Sequence, residues 1–177
     1  MRKLGVFETV SLDGYFKSGD QRWMHRPPDA EMTAFVSDNA SGGAELVLGR
    51  KTYDEMAAFW PTAAAAKMMP VVARRMTEMT KHVVSGSLAP AWDNTRVYGN
   101  ANAIRELLRT PGPDLTILGS GSVVAQLADV IDEYRLMVLP VVLGTGTALL
   151  PGKHVELKLL ATRAFGNGNV YLTYGRA

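Results

Sequence analysis

The sequence predicts an α/β protein built on one sheet with a mostly parallel centre and an antiparallel edge. Three observations predict it. Short apolar runs alternate with helix-like patterns through the first two thirds of the chain, the order expected of parallel strands joined by crossover helices. Two of those runs, 46–48 and 115–118, stop at glycine and lead straight into a helix-like segment. The last third instead holds three strand-like runs, 134–143, 155–165 and 170–175, with the hairpin-type turn Gly166-Asn167-Gly168-Asn169 between the final two. A sheet with a parallel centre, closed by a strand pair, accommodates all three.

Each element has its own reason. Residues 3–11 show mixed strand alternation and close on Asp13-Gly14, a turn signal. Residues 18–28 are polar and end in Pro27-Pro28, a loop. From 28 to 40, Met32, Phe35 and Val36 fall on one helical face, and Ser41-Gly42-Gly43 ends the helix. The strand 46–48 follows, then a helix from Arg50 that Pro61 stops. Residues 62–80 carry no clean period: Ala63-Ala64-Ala65-Ala66 suits a helix or a small-residue loop equally. Short strands are expected at 82–85 and 96–98, and a helix at 101–109 that Pro111-Gly112-Pro113 halts. The strand 115–118 and a helix from Val123 complete the alternating part. With 177 residues, no internal repeat and no linker, one domain over 1–177 is expected.

Bulk properties exclude several function classes. A net charge of +2, without a basic stripe, gives no reason to expect nucleic acid. The absence of cysteine removes disulfides, thiolate metal sites and cysteine nucleophiles. His25, His82 and His154 are scattered, with no second ligand at metal-binding spacing, so no metal is expected. No apolar run has the length of a membrane span, and residues 1–5 lack a signal-peptide core, so the expected setting is cytoplasmic. No serine sits in a nucleophile elbow, which leaves hydrolase chemistry unsupported.

The chemistry concentrates at the two glycine junctions. In Leu48-Gly49-Arg50-Lys51-Thr52-Tyr53 a strand delivers the backbone to the first free amides of a helix, with two cations beside them. Free amides and the helix dipole favour an anion there. In Leu118-Gly119-Ser120-Gly121-Ser122-Val123 the glycines permit close backbone approach, and serine hydroxyls and amides can surround phosphate oxygens. Val124 occupies the third glycine position of the usual dinucleotide fingerprint, and Arg50 stands where a triphosphate loop has lysine. Either turn alone is also compatible with an ordinary surface junction. Two in one small chain point to a dinucleotide.

Four segments in order, Ser11-Leu12-Asp13-Gly14, the two glycine junctions, and Asp132-Glu133-Tyr134-Arg135-Leu136 running into Pro140-Val141-Val142-Leu143-Gly144, resemble the dihydrofolate-reductase-like family. The likeness is to the branch related to the reductase domain of riboflavin biosynthesis. It implies a three-layer α/β/α fold and NADPH bound across the carboxyl ends of the strands. By the same resemblance, Gly49, Arg50, Lys51 and Thr52 would hold the adenosine-side phosphates and Ser85 the ribose phosphate. Gly119, Ser120, Gly121, Ser122 and Val123 would receive the pyrophosphate. The two cations independently favour NADPH over NADH. The chain departs from its relatives at Gly86, where they carry a basic residue.

The implied activity is hydride transfer to a small planar heteroaromatic substrate, pterin-like or riboflavin-precursor-like. Asp13 is the candidate catalytic carboxylate at the pocket mouth; it also suits a turn-stabilising role before Gly14. Trp23 and Tyr53 are candidate substrate contacts. Trp60, seven residues after Tyr53, fits core packing. Asp29 stands one residue too far from Trp23 to match the folate-binding carboxylate of relatives, and reads as a helix N-terminal acid. Two competing readings remain open at this point: an NADPH-binding protein without turnover, and a broad carbonyl or nitro reductase. A homodimer paired through C-terminal strands is expected from the resemblance.

Overall fold

The computed structural model describes residues 1–19, 22–24, 30–40, 42–150, 152 and 154–177. Strands β1 (Leu4–Ser11), β3 (Glu45–Gly49), β4 (Lys81–Val84), β5 (Thr95–Tyr98), β6 (Leu115–Ile117), β7 (Glu133–Leu139), β9 (Leu157–Ala164) and β10 (Val170–Arg176) form one sheet in the order β5-β4-β3-β6-β1-β7-β10-β9. Neighbours from β5 through β7 are parallel, and β10 runs antiparallel to both β7 and β9. The short strands β2 (Tyr15–Lys17) and β8 (Thr147–Ala148) pair separately. The expected α/β class, parallel centre and antiparallel edge are all present.

Strand periodicity dictates the layers. On β3, Val47 faces one side, while Leu46 and Leu48 face the other. Val47 joins Leu4, Val6 and Ile117 in a core closed by Ile104 and Leu108 of α5 (Asn102–Leu108) and by Val123, Val124 and Leu127 of α6 (Gly121–Leu127). Leu46 and Leu48 pack with Tyr53, Met56 and Met76 from α2 (Arg50–Phe59) and α4 (Pro70–Glu78). Further along the same face, α1 (Ala30–Ala40) lays Met32 and Phe35 against Phe7, Met137 and Tyr171. Helices therefore cover both faces of the sheet.

One expectation changes and two open points are resolved. The strand expected over 134–143 ends at Leu139, because Pro140 has no N–H for the ladder. It is a central strand between β1 and β10, so it is not available as a subunit edge. Residues 62–80 are two helices, α3 (Ala63–Met68) and α4. Thr62 caps α3, its hydroxyl accepting from the Ala65 N–H at 3.2 Å, and Pro70 starts α4 where its missing N–H costs nothing.

Lys81 anchors the end of α4. It is fully buried, and its ammonium donates to the carbonyls of Met76 (2.9 Å), Thr77 (2.9 Å) and Met79 (2.8 Å), with the Trp92 ring 4.2 Å away. Burial pushes its pKa down to about 8, while the three carbonyls favour the charged form that supplies three donors. Lys81→Met leaves those carbonyls without the ammonium. We expect a loss of about 2–4 kcal/mol, read as a drop of roughly 5–10 °C in the thermal midpoint by circular dichroism. An unchanged midpoint would show that α4 holds without this anchor.

Candidate cofactor and substrate site

The two glycine turns meet because their strands are neighbours. β3 and β6 pair with Val47 opposite Ile117, which brings Gly49 to Gly119 at the carboxyl ends. The Gly49 N–H donates to the Gly119 carbonyl at 3.0 Å. A Cβ on Gly49 would lie 2.2 Å from Ser120 Oγ and 3.1 Å from the Ser120 backbone nitrogen, so only glycine lets the turns approach this closely. Gly119 has φ +88, the left-handed region that glycine tolerates, and a Cβ there would meet Thr52 Oγ1 at 3.0 Å. A Cβ on Gly121 would strike the Phe16 ring at 2.5 Å. The result is a cradle that side chains would fill.

Both helices begin without a side-chain cap, α2 after Gly49 and α6 after Ser120, and neither has an acidic residue in its first turn. The first amides of α2 and those of Gly121 and Ser122 are thus left to a ligand, while the Val123 N–H already donates to the Ser120 carbonyl at 2.9 Å, and no carboxylate there repels an anion. Arg50 is exposed beside the cradle, held by Asp54 in an i,i+4 ion pair at 2.8 Å. Ser120 and Ser122 share a hydroxyl hydrogen bond of 2.7 Å.

The cradle forms one wall of a cavity of about 1140 Å³ that contains Gly49, Arg50, Lys51, Thr52 and residues 119–123 in its lining. A single drug-sized ligand typically takes about 300–1,000 Å³, so this volume has room for a dinucleotide and a second molecule. The far wall is built by α1, α3 and α4.

Glu8 also lines this cavity. It follows Leu4 and Val6 on the β1 face that packs under α6, and its Oε1 sits 3.1 Å from where a Gly119 Cβ would be. That oxygen is buried with no hydrogen-bond partner among the described residues. Burial alone pushes the Glu8 pKa from 4.5 up to about 8. A protonated carboxyl therefore stands at the cradle, adding no negative charge at neutral pH and able to donate one hydrogen bond.

Residues 2–171 match the family model of the RibD C-terminal domain. The chain belongs to this family. Two relatives span nearly the whole chain, the uncharacterized proteins YyaP and YwjB of Bacillus subtilis (strain 168). YyaP is 28% identical over 182 residues, covering 98% of this chain and 94% of that protein. YwjB is 29% identical over 185 residues, covering 99% of each. Among solved structures, a Shewanella sp. PV-4 protein provisionally named for riboflavin biosynthesis superposes with TM-score 0.71 at 21% identity, over 99% of both chains. At that identity the likeness speaks for the fold alone. A pyrimidine reductase-like protein from Corynebacterium diphtheriae gives TM-score 0.70 at 12% identity, over 99% of this chain and 92% of that one.

Within this RibD C-terminal fold, the nine residues expected at the two turns all converge on one cavity, whereas four other candidates lie elsewhere. Tyr53 is 3% exposed and turned into the core, where its hydroxyl accepts the N–H groups of Ala91 (3.2 Å) and Trp92 (2.9 Å). It does not line the cavity and is a core residue. Asp13 is a loop brace. Its carboxylate accepts from the Leu143 N–H at 3.2 Å and the Gly144 N–H at 2.7 Å. A hydrogen bond from the Ser11 side chain, with those amides, holds its pKa below the usual carboxylate value. Trp23 donates to the Ser18 carbonyl at 3.2 Å and packs beside Met137 and Tyr171; its neighbour Met24 is the one that lines the cavity. Ser85 stands one residue past the Gly49–Val84 register pair, and its hydroxyl accepts from the Ser87 N–H at 3.3 Å. Val84 reaches the cavity and Ser85 does not. Asp29 lies outside the described residues. Asp132 is structural, accepting the Leu4 N–H at 2.8 Å.

Glu8 and Phe16 are two residues beside the cradle that sequence reasoning missed. A signal existed for the first: in Leu4, Val6, Glu8, Val10, a carboxylate interrupts an apolar stripe on one strand face. No helix of the described residues is long and apolar enough to cross a membrane.

Proposed function

We propose that the protein is an NADPH-dependent reductase that delivers a hydride to the C=N or C=O group of a small planar acceptor. The observation that carries this is the packing of two uncapped glycine turns into one cradle beside a cavity with room for a second ligand. Arg50, Lys51 and Thr52 hold phosphate on the adenosine side, and residues 119–123 receive the pyrophosphate. The cations and the absence of an acid in the first turn of α2 favour the phosphorylated cofactor, since NAD sites usually offer a carboxylate to the ribose. When bound, the nicotinamide supplies the hydride. Phe16, against Gly121, packs over the cradle and helps keep water from it.

Titrating the purified protein with NADPH and NADH, read by tryptophan fluorescence, tests this. NADPH is expected to bind far more tightly than NADH, and Arg50→Ala to weaken it by about tenfold, roughly 1.4 kcal/mol. Absence of binding by either cofactor would make the turns structural and end the reductase reading. We further propose a homodimer formed through β9, whose outer edge is unpaired and exposes Leu159 (50%) and Leu160 (54%). A monomer in sedimentation velocity would remove that idea.

A further inference from the structure

Of the nine methionines in the sequence, all except Met1 line the one cavity. They arrive from separate pieces of chain: Met24 before α1, Met56 on α2, Met69 between α3 and α4, Met76 on α4, and Met137 on β7. Local sequence preference does not explain this convergence. The cavity does.

The wall that α3 and α4 contribute is made of Met68, Met69, Val72, Met76 and Met79, with no polar side chain. The cationic side chains of the lining lie elsewhere. Arg50 and Lys51 belong to the cradle, Lys17 is an exposed residue at the end of β2, and Arg135 is committed to Glu133 at 3.2 Å and to the Thr116 hydroxyl at 2.8 Å. A phosphorylated acceptor, or one rich in ring N–H and amino groups, would leave its polar edge unpaired against the methionine wall, at a cost of about 1–3 kcal/mol per group. Methionine has three rotatable bonds and a polarizable sulfur, so such a wall reshapes around different apolar bodies and makes favourable contact with ring edges. Met68, 57% exposed, stands at its rim.

Resting on the reductase reading above, we infer that the acceptor is an uncharged, mainly apolar cyclic carbonyl compound, taken with broad tolerance of shape. The hydride from the nicotinamide adds to the carbonyl carbon. The C=O π pair moves to oxygen, which takes a proton from water at the cavity mouth. The acceptor is reduced to the alcohol by two electrons, and the cofactor is oxidised.

Two measurements test the inference separately from the cofactor reading. The first is displacement of the uncharged dye Nile red by α-tetralone, a fused-ring ketone, without NADPH. The second is NADPH oxidation with α-tetralone against dihydrobiopterin. Displacement of the dye, turnover of the ketone, and a KM at least about tenfold below that for the pterin are expected. Met69→Gln and Met76→Gln, which keep the length and add polarity, should raise the ketone KM and weaken the dye by about tenfold. Met69→Leu and Met76→Leu should restore both. The NADPH dissociation constant should be the same in all four variants. Failure of NADPH to bind while the dye still binds and responds to the variants would refute the cofactor reading and support the apolar chamber. Normal NADPH binding with turnover of the pterin alone, or ketone and dye binding indifferent to the glutamine changes, would overturn the inference.

Discussion

Gly49→Ala is expected to abolish tight dinucleotide binding while leaving a folded protein. The added methyl would sit 2.2 Å from Ser120 Oγ, 3.0 Å from Ser120 Cβ and 3.1 Å from its backbone nitrogen. The hydroxyl can swing away, but the backbone nitrogen belongs to the start of α6 and cannot. The turns must separate, and the hydrogen bond from Gly49 to the Gly119 carbonyl lengthens. A loss of at least about 100-fold in NADPH affinity, roughly 2.7 kcal/mol, is expected from displaced amides that must converge on one ligand. Overpacking should also lower stability by about 1–3 kcal/mol. Isothermal titration and thermal melts read the two effects. Adding Ser120→Gly removes the hydroxyl clash but not the contact with the nitrogen, so the double variant should recover affinity only in part. Wild-type affinity in Gly49→Ala would show that the close approach of the turns has no role in binding.

The second large effect is a pH dependence carried by Glu8. Its pKa rises from 4.5 in the unfolded chain to about 8 in the folded protein. The folded state therefore keeps the proton across a range in which the unfolded state has lost it. The stability this confers is fully present below about 4.5 and disappears as pH rises through about 8. Glu8→Gln stays neutral throughout, so it should lack this decline, which we place at about 2–4 kcal/mol for the wild type. The ligand adds a second readout. Above pH 8 a carboxylate appears beside the cradle, and wild-type NADPH affinity should fall by about tenfold between pH 7 and 9 while that of Glu8→Gln stays level. Parallel pH profiles for the two proteins, in both stability and binding, would show that Glu8 titrates as an ordinary surface acid.

The sequence was most legible where backbone chemistry decides the outcome. Glycine after an apolar run, followed by cations or serines, specified both turns, and alternation with flanking breakers located the strands of the sheet. It was least legible where sidedness or remote contact decides. Thr52 and Tyr53 are adjacent on α2, but a helix turns each residue about 100° from the last, so Thr52 meets the cavity and Tyr53 enters the core. Asp13 finds its partners at Leu143 and Gly144, far along the chain. Residues 62–80 showed no period because the small alanines of α3 fit any surface, and because the methionines divide between the cavity wall and the core face. The interruption of the apolar stripe by Glu8 was readable, but its proximity to Gly119 was not.

The cradle joins stretches of polypeptide that are distant in sequence, since Glu45 lies in register with Leu115. Everything from α2 through the loop after α5 must be in place before the two turns can touch. A nascent or partly opened chain that lacks β6 thus has no complete cradle in which a dinucleotide could sit. On the function proposed above, a bound dinucleotide would act as a tie between early and late segments, its binding energy added to global unfolding of the central sheet rather than to local fraying. Cofactor supply would then act on the protein's lifetime as well as its turnover, because the holo form offers proteases fewer open molecules.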